Sequence, residues 1–306
     1  MNNDAIYQTV TDTIIKLLET QLESWNRPWI AFGADNDYAR NAQSKAYYKG
    51  INQFILSFML LGMGYPKNAW LTFRQVEALG GRVIKGEKSS PVIFYKTGYV
   101  DKDNGFHSAE QVEKMPTQAQ SEQGIKKVPI LRLYHLFNVS QTEGLAPSFY
   151  EVTPMEPLCD MEKDDRAEAL MVATNADIEI VKGNRASYDP IADKIRVPLR
   201  EQFRGVSEHF YATVLHELGH WSGHSSRLNR DMSGVFGDAS YSREEMVAEL
   251  CAAFCGASLG FSKGITQNAT YIKSWLAILK QDNKAVVRAS YQAQKAADYI
   301  LAFRPA

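Results

Sequence analysis

The sequence predicts an α+β protein with two domains. Its 306 residues are about twice the length of an average domain, and the composition, 45% apolar and 23% charged, is that of a folded protein with a core. Helical and strand-like patterns are mixed in the first half of the chain. The second half has a few short strands followed by four helices, so we predict that it is mostly helical with a small sheet.

The first domain is predicted to cover residues 1–145. Apolar residues recur at helical spacing in three segments, and two later segments have the pattern of strands. The polar stretch between these strands contains Pro, Gly, Gln and Ser without periodicity, so we interpret it as a loop or flexible insertion. The predicted order is helix 4–26, loop 33–46, helices 50–62 and 71–79, strand 91–100, insertion 101–127 and strand 128–139.

Residues 146–160 hold three prolines and are interpreted as a linker to a second domain over 161–306. The elements predicted there are helix 162–174, strands 178–181, 186–188 and 194–197, and helices 206–222, 241–259, 268–281 and 284–302. Three cysteines, an odd number in a long chain, indicate reduced thiols. No apolar run is long enough to span a bilayer and no signal-peptide pattern is present, so we expect a cytoplasmic protein without membrane contact.

The net charge of −1 hides a basic segment. Residues 40–100 contain nine Lys and Arg residues, two Glu residues and ten aromatic residues. Cations that follow phosphates, among rings that stack on bases, are typical of single-stranded DNA binding, whereas the alternative is an ordinary solvated basic surface. Tyr47, Tyr48 and Trp70 are the rings expected to be exposed for stacking. The full set of candidate DNA-binding residues is Arg40, Lys45, Tyr47, Tyr48, Lys49, Asn52, Lys67, Trp70, Arg74, Lys85 and Lys88.

Catalytic chemistry is concentrated in one predicted helix, which carries the sequence His216-Glu217-Leu-Gly-His220. One helical turn separates the two histidines, so both imidazoles can reach one ion, while Glu217 lies beside them to polarise a water. Surface histidines on an amphipathic helix are the alternative, but they leave Glu217 unexplained. The pattern predicts a Zn²⁺ site, with Mn²⁺ or Co²⁺ as other possible ions, and Glu217 as the catalytic residue.

The third metal ligand is predicted to be a carboxylate from the following helix. His224 continues the spacing of His216 and His220, but a straight helix would place it about 12 Å from His216, which is too far to share an ion. Glu245 and Glu249 lie one turn apart on one face, so one can bind metal while the other braces a histidine. We favour Glu249, which has the more apolar neighbours, and keep Glu245 as the alternative.

Several longer motifs point to a known family. They are Trp25-x-x-Pro28-Trp29, Tyr48-x-Gly50-Ile51-Asn52, Gly80-Gly81-x-Val83-x-Lys85-Gly86-Glu87, His216-Glu-Leu-Gly-His220-Trp-Ser-Gly-His224 and Arg243-Glu-Glu-Met-Val-Ala-Glu249. With these motifs the chain resembles the ArdC-type antirestriction proteins of conjugative plasmids over nearly all of its length. The resemblance implies a single-stranded DNA-binding domain joined to a zincin-like metallopeptidase domain, in a protein that protects an incoming plasmid from host restriction.

Two functions from different classes remain open at this point. In the first, the protein is a zinc metallopeptidase that is brought to its target by single-stranded DNA, with a host restriction protein as the natural substrate. In the second, it is a non-catalytic DNA-binding shield, or an accessory protein of plasmid transfer or replication, with a structural or vestigial metal site. An intact Glu217 favours hydrolysis, because a purely structural zinc site has no need of it.

Overall fold

The computed structural model describes residues 3–23, 35–152, 164–203, 207–232, 238–261 and 269–305. Its first part is built from helices around strands, as an α+β domain requires. The elements are α1 (Asn3–Glu23), β1 (Asp35–Asn41), α2 (Ile51–Met63), β2 (Lys67–Thr72), α3 (Phe73–Ala78), β3 (Arg82–Val83), β4 (Ser90–Val100), β5 (Phe106–His107), α4 (Ala109–Glu113), α5 (Thr117–Glu122), β6 (Lys126–Asn138) and β7 (Thr142–Glu143).

A five-stranded sheet forms the centre of this part, with the strand order β1-β2-β6-β4-β5. Strands β4 and β6 pair antiparallel along the whole length of β4, from Ser90 opposite Leu136 to Val100 opposite Lys126. Helix α2 lies on the sheet, where two of its leucines form a buried cluster with side chains from four strands. The main members of that cluster are Leu56, Leu60, Trp70, Val92 and Leu136. The short strands β3 and β7 make a separate two-stranded ribbon.

The predicted loop 33–46 is wrong in its first part, where the chain forms the edge strand β1. Its sequence has low strand propensity, and tertiary contacts hold it instead: β1 pairs with β2, and the backbone N–H of Ala39 donates to Gln53 of α2 at 2.8 Å. The helix predicted over 71–79 also begins later, at Phe73, because residues up to Thr72 belong to β2. Thr72 then caps α3 through a reciprocal pair of hydrogen bonds with Gln75.

The interpretation of 101–127 as a loop or flexible insertion is wrong as well. The segment contains β5, α4 and α5, which are too short to show a periodic pattern. Local side-chain contacts hold them: Ser108 and Gln111 form a capping box at the start of α4, and the Asp101 carboxylate lies 2.8 Å from Nε2 of His107. The Asp101 pKa is lowered by its hydrogen bond with His107 and by the bond from the Gly105 backbone.

The second part of the chain has all the helices and strands predicted for it. They are α6 (Asp165–Ala173), β8 (Asp177–Val181), β9 (Ser187–Asp189), β10 (Lys194–Pro198), α7 (Ser207–Trp221), α8 (Ala239–Leu259), α9 (Ala269–Gln281) and α10 (Ala285–Leu301). The sheet has the order β8-β10-β9, so β9 is an outer strand. Residues 153–160 of the predicted linker, including Cys159, lie outside the described residues, while Cys251 and Cys255 are buried free thiols in α8.

The two parts of the chain share a continuous core. Apolar residues of α1 and α2 belong to the same buried cluster as those of α7, α8, α9 and α10. Polar contacts join the parts too: Thr11 donates to the Asn283 carbonyl at 2.8 Å, and the Gly50 backbone donates to Gln294 at 2.9 Å. None of the helices in the described ranges has the length and apolar character needed to cross a membrane.

Candidate metal centre and nucleic-acid surface

Helix α7 presents both motif histidines on the side that faces α8. Their Nε2 atoms lie 3.1 Å apart, and their side chains are mostly buried. The apolar side of the same helix packs in the core through Val214, Leu215 and Leu218, whose side chains are 3% exposed or less. Helical periodicity and the burial of the apolar face therefore place two imidazole nitrogens side by side.

Glu245 of α8 completes a group of three possible ligands. Its carboxylate oxygens lie 3.5 Å from Nε2 of His216 and 3.5 Å from Nε2 of His220, and these donor atoms lie within 4.8 Å of one another. Glu249 instead lies 3.6 Å from Nδ1 of His216, on the other side of the ring. The geometry thus reverses our preference between the carboxylates, because the turn of α8 that carries Glu245 is the one that faces both histidines.

The spacing of these donors fits a tetrahedral metal. Ligand atoms about 2.1 Å from a tetrahedral zinc ion lie about 3.4 Å apart, close to the observed distances. Each histidine also has a carboxylate at Nδ1, since Glu244 lies 3.3 Å from that atom of His220 and Glu249 occupies the equivalent place at His216. A carboxylate at Nδ1 leaves Nε2 free to bind metal, so the set matches a two-histidine, one-glutamate site with an open position.

The charges of this group are strongly coupled. Burial lowers the pKa of His216 and His220, but the neighbouring glutamates outweigh it, so the pKa of His216 is well above its usual value and that of His220 is about 9. Burial raises the pKa of Glu245, yet hydrogen bonds from the two histidines bring it far below its usual value. Any metal that binds here must displace protons from the histidines.

Glu217 is buried next to the histidines and lines the same cavity. Burial raises its pKa, while the two histidines act in the opposite direction. The cavity has a volume of about 350 Å³, and residues of β9, an outer strand of its sheet, line it together with the motif helix. The lining residues are Arg185, Ala186, Ser187, Tyr188, Pro190, His216, Glu217, His220, Met232, Tyr241, Glu244 and Glu245. Nothing in the local sequence pattern indicated that Tyr241 lines this cavity.

His224 lies outside the donor group. Helix α7 ends at Trp221, and the Nδ1 atom of His224 lies 2.7 Å from Oγ of Ser226 in the turn that follows. The expectation that it is not a ligand agrees with this geometry.

A close contact between glycine and alanine sets the distance between α7 and α8. A Cβ atom at Gly219, between the motif histidines, would lie 3.0 Å from the Cα of Ala248. The absence of a side chain there lets α8 approach until Glu245 reaches both histidines.

Gly219→Ala is therefore expected to push the two helices apart. Forcing a methyl group against a backbone atom in a packed core costs about 1–3 kcal/mol, which exceeds the gain in helix propensity of about 1 kcal/mol. We expect a lower melting temperature and weaker metal binding. Gly256→Ala in α8 is the matched control, because its Cβ would make only ordinary contact with Phe261 at 3.8 Å. Equal melting temperatures for the two variants would contradict this account of the helix contact.

Among the residues predicted to bind DNA, Trp70 is not available for stacking. It lies on β2, is completely buried, and donates from Nε1 to Asn68 at 2.8 Å. The prediction that its ring is exposed is wrong, because no strand was predicted where β2 lies, so the burial of its residues against α2 was not foreseen. The side chain of Asn52 already makes two hydrogen bonds within the protein. Its amide nitrogen donates to the Ile93 carbonyl at 2.6 Å, and its oxygen accepts from the Ile93 backbone N–H at 2.8 Å.

The predicted cations and tyrosines are divided between structural and exposed positions. Lys49 pairs with Asp298 of α10 at 3.6 Å, and the Lys67 ammonium donates to the carbonyls of Ser148 and Glu151. Tyr48 is half-buried against the α2 cluster, and burial raises its pKa. The other residues of the predicted DNA-binding set are half-buried or exposed. They are Arg40, Lys45, Tyr47, Arg74, Lys85 and Lys88.

Five exposed rings on the sheet and on α3 were missing from the predicted set. Phe94 and Tyr134 are 54% and 41% exposed, and their rings meet edge to face at 6.1 Å. Exposed Arg132 lies directly opposite Phe94 in the β4–β6 register. The other three rings are Phe73, Tyr95 and Phe106. Alternation along β4 and β6 was the available signal, but it does not show which face of a sheet a helix covers.

Comparisons with known proteins agree with this architecture. Residues 4–137 match the N-terminal domain of the anti-restriction factor ArdC, and residues 165–292 match a zincin-like metallopeptidase family. The chain therefore has the two-domain layout of an ArdC N-terminal domain followed by a zincin-like domain. The exact boundaries at 145 and 161 stay predictions.

Two crystal structures of the antirestriction protein ArdC from the R388 plasmid are similar to the whole chain. The metal-free structure is 33% identical over 97% of both chains, with a TM-score of 0.74. The Mn(II)-bound structure is 32% identical over 99% of this chain and 98% of that chain, with a TM-score of 0.71. The chain belongs to the ArdC family of antirestriction proteins.

Two other relatives differ in length. The protein y4eC of Sinorhizobium fredii (strain NBRC 101917 / NGR234) is 34% identical over 96% of this chain and 91% of its own length. A DNA primase TraC of Escherichia coli is 35% identical over 97% of this chain, but the chain spans only 20% of that primase. A second TraC primase shows 31% identity, and the chain spans 27% of its length.

Proposed function

We propose that this protein is an antirestriction metallopeptidase that binds single-stranded DNA and protects incoming plasmid DNA during conjugation, in the cytoplasm of the new host. One observation supports the metallopeptidase activity most directly. Nε2 of His216, Nε2 of His220 and the Glu245 carboxylate lie close enough to bind one ion, and buried Glu217 lines the same cavity. The zincin-like family and the Mn(II)-bound structure of ArdC support a divalent metal at this point, and we propose zinc.

The bound metal would supply a Lewis acid for the peptide carbonyl and lower the pKa of the attacking water. The chain's own residues then move the protons. The Glu217 carboxylate takes a proton from water as the hydroxyl adds to the carbonyl carbon, and passes it to the amine nitrogen as the C–N bond breaks. Burial raises the pKa of Glu217, which makes its carboxylate a stronger proton acceptor for this step.

Strand β9 is suited to hold the substrate. It is an outer strand of its sheet, and two of its residues, Ser187 and Tyr188, line the cavity together with the histidines. An extended peptide can add to such an edge through backbone hydrogen bonds, which places one peptide bond between β9 and Glu217. The proposed substrate is therefore an extended segment of a protein, and we propose a host restriction subunit as that protein.

The peptidase proposal is tested by incubating purified restriction subunits with the zinc-loaded protein. We expect discrete cleavage products that disappear when a chelator removes the metal and return when zinc is added back. Plasmid transfer into a restricting host, with wild type and Glu217→Gln side by side, shows whether hydrolysis is needed for protection. Equal protection by both, without any cleavage, would instead support the non-catalytic DNA shield or an accessory role in transfer or replication.

We propose that single-stranded DNA binds across the exposed rings of β4 and β6. Phe94, Tyr134 and Arg132 combine two stacking surfaces with a cation on neighbouring strands. Rings and guanidinium groups in this arrangement bind single strands with little sequence preference, because every base can stack. The exposed cations Arg74, Lys85 and Lys88 extend the positive charge beyond the strands.

Substitution of the exposed rings is expected to separate DNA binding from folding. In the full-length protein, Phe94→Ala or Tyr134→Ala should weaken binding to an oligothymidine by about 1–3 kcal/mol, with an unchanged melting temperature. Arg132→Ala should make the plot of log binding constant against log salt concentration less steep by about 0.7. This is the contribution of one neutralised phosphate on a single strand. Fluorescence anisotropy over a salt series measures both.

Two controls accompany this test. Tyr291→Ala removes an equally exposed ring on α10 and should leave DNA binding unchanged. Trp70→Ala should lower the free energy of unfolding by about 3–5 kcal/mol, as expected for a core residue. If duplex DNA bound as tightly as single strands at physiological salt, the exposed rings would not be stacking on bases.

A further inference from the structure

The segment that follows α7 carries two buried arginines with different partners. The side chains of Arg227 and Arg230 are only 9% and 6% exposed. Arg227 lies over the ring of Trp221 at 4.1 Å and forms an ion pair with Asp193 beside β10. Arg230 turns the other way, toward α8 and the metal centre.

Two nitrogens of the Arg230 guanidinium bind the two carboxylate oxygens of Glu244. Nε lies 3.1 Å from one carboxylate oxygen of Glu244, and the terminal nitrogen lies 2.7 Å from the other. The same arginine donates to the carbonyl of Gly219 at 2.6 Å and to Oγ of Ser222 at 2.9 Å. The guanidinium therefore joins the end of the motif helix to α8, one residue before Glu245.

Glu244 in turn contacts a histidine of the candidate metal centre. Its Oε1 atom, which accepts from Arg230, lies 3.3 Å from Nδ1 of His220. A carboxylate at this atom sets the orientation of the ring and the nitrogen that carries the proton. A bidentate arginine fixes the plane of the carboxylate in a way that a single charge does not, so the orientation of His220 depends on Arg230.

We propose that Arg230 is a positioning residue of the metal centre, which acts through Glu244 to direct Nε2 of His220 toward the ion. This inference rests on the metal centre proposed above. The hydrogen bonds of Arg230 go to Glu244, Ser222 and Gly219, and not to the metal-binding nitrogens or to Glu217. Its expected effect is therefore on the affinity for metal and on the geometry of the metal centre. Loss of a partner at this position typically lowers metal affinity 10- to 100-fold.

The test compares two arginines of the same segment in the full-length protein. Arg230→Met is expected to weaken zinc binding 10- to 100-fold in competition with a chromogenic chelator, whereas Arg227→Met should stay within about threefold of wild type. Both variants lose a buried ion pair, so the melting temperatures of the metal-free proteins should fall for both. Arg230→Lys should recover only part of the affinity, because lysine keeps the charge without the fork.

Cobalt substitution provides a second measurement that a purely structural role would not change. The visible spectrum of bound Co²⁺ reports ligand geometry, and it should change in Arg230→Met and not in Arg227→Met. If Arg230→Met does not fold, Glu244→Gln tests the same contact and should give the same loss of affinity. Wild-type affinity in the Arg230 and Glu244 variants, or an equal loss in Arg227→Met, would overturn the inference. Absence of zinc binding by the wild type would overturn the metal centre itself.

Discussion

Replacing Glu217 with glutamine should lower kcat/KM for peptide hydrolysis by about 10²- to 10⁴-fold, the usual contribution of a positioned general base. Glutamine keeps the size and the hydrogen-bonding groups of the side chain but cannot take a proton from water. Because Glu217 is not part of the three-residue donor group, metal content should be unchanged. The measurement is the rate of release of new amino termini from an unfolded protein substrate.

The control for this variant is its metal content and melting temperature, which should match those of the wild type. Relief of a buried carboxylate can even raise stability slightly, since burial raises the pKa of Glu217. Undiminished hydrolysis by Glu217→Gln would show that another residue acts as the base. Loss of hydrolysis together with loss of metal would show that Glu217 has a structural role at the centre.

Glu245→Gln should abolish stoichiometric zinc binding, whereas Glu249→Gln should retain zinc with an affinity reduced by about 10- to 100-fold. The two substitutions are chemically identical and one helical turn apart, so each is the control for the other. The prediction follows from their distances, because only Glu245 lies 3.5 Å from Nε2 of both histidines. Metal analysis after dialysis, combined with competition titrations, measures the difference.

The opposite ranking would return the ligand role to Glu249. It would mean that metal binding rotates α8 relative to α7, so that Glu249 leaves Nδ1 of His216 and Glu245 becomes the bracing residue. Retention of full affinity by both variants would exclude either carboxylate as a ligand.

Local rules were sufficient for the helices of the second domain and for the facing histidines. The i, i+4 spacing of His216 and His220 determines their common face as soon as the segment is helical. The choice between Glu245 and Glu249 is different, because it depends on where α8 crosses α7. That crossing is set by the contact of Gly219 with Ala248, which no pattern within one helix reveals.

The DNA surface was predicted less well for a similar reason. Composition located the basic and aromatic segment, but which rings are exposed depends on how α2 covers the sheet. Trp70 is beneath α2 and buried, while Phe94 and Tyr134 lie on strands that extend past the buried cluster. Strand β1 was missed because its own residues have weak strand propensity and pairing with β2 holds it in place.

The central claim is that two histidines and one glutamate of this chain hold a catalytic metal. Zinc K-edge X-ray absorption on the full-length protein tests it most directly. We predict one zinc per chain, with two imidazole nitrogens at about 2.0–2.1 Å and oxygen ligands at about 2.0–2.2 Å. Loss of the imidazole contribution in a His216→Ala, His220→Ala double variant should accompany loss of the metal. Substoichiometric zinc in the wild type, or a spectrum without two imidazoles, would contradict the claim.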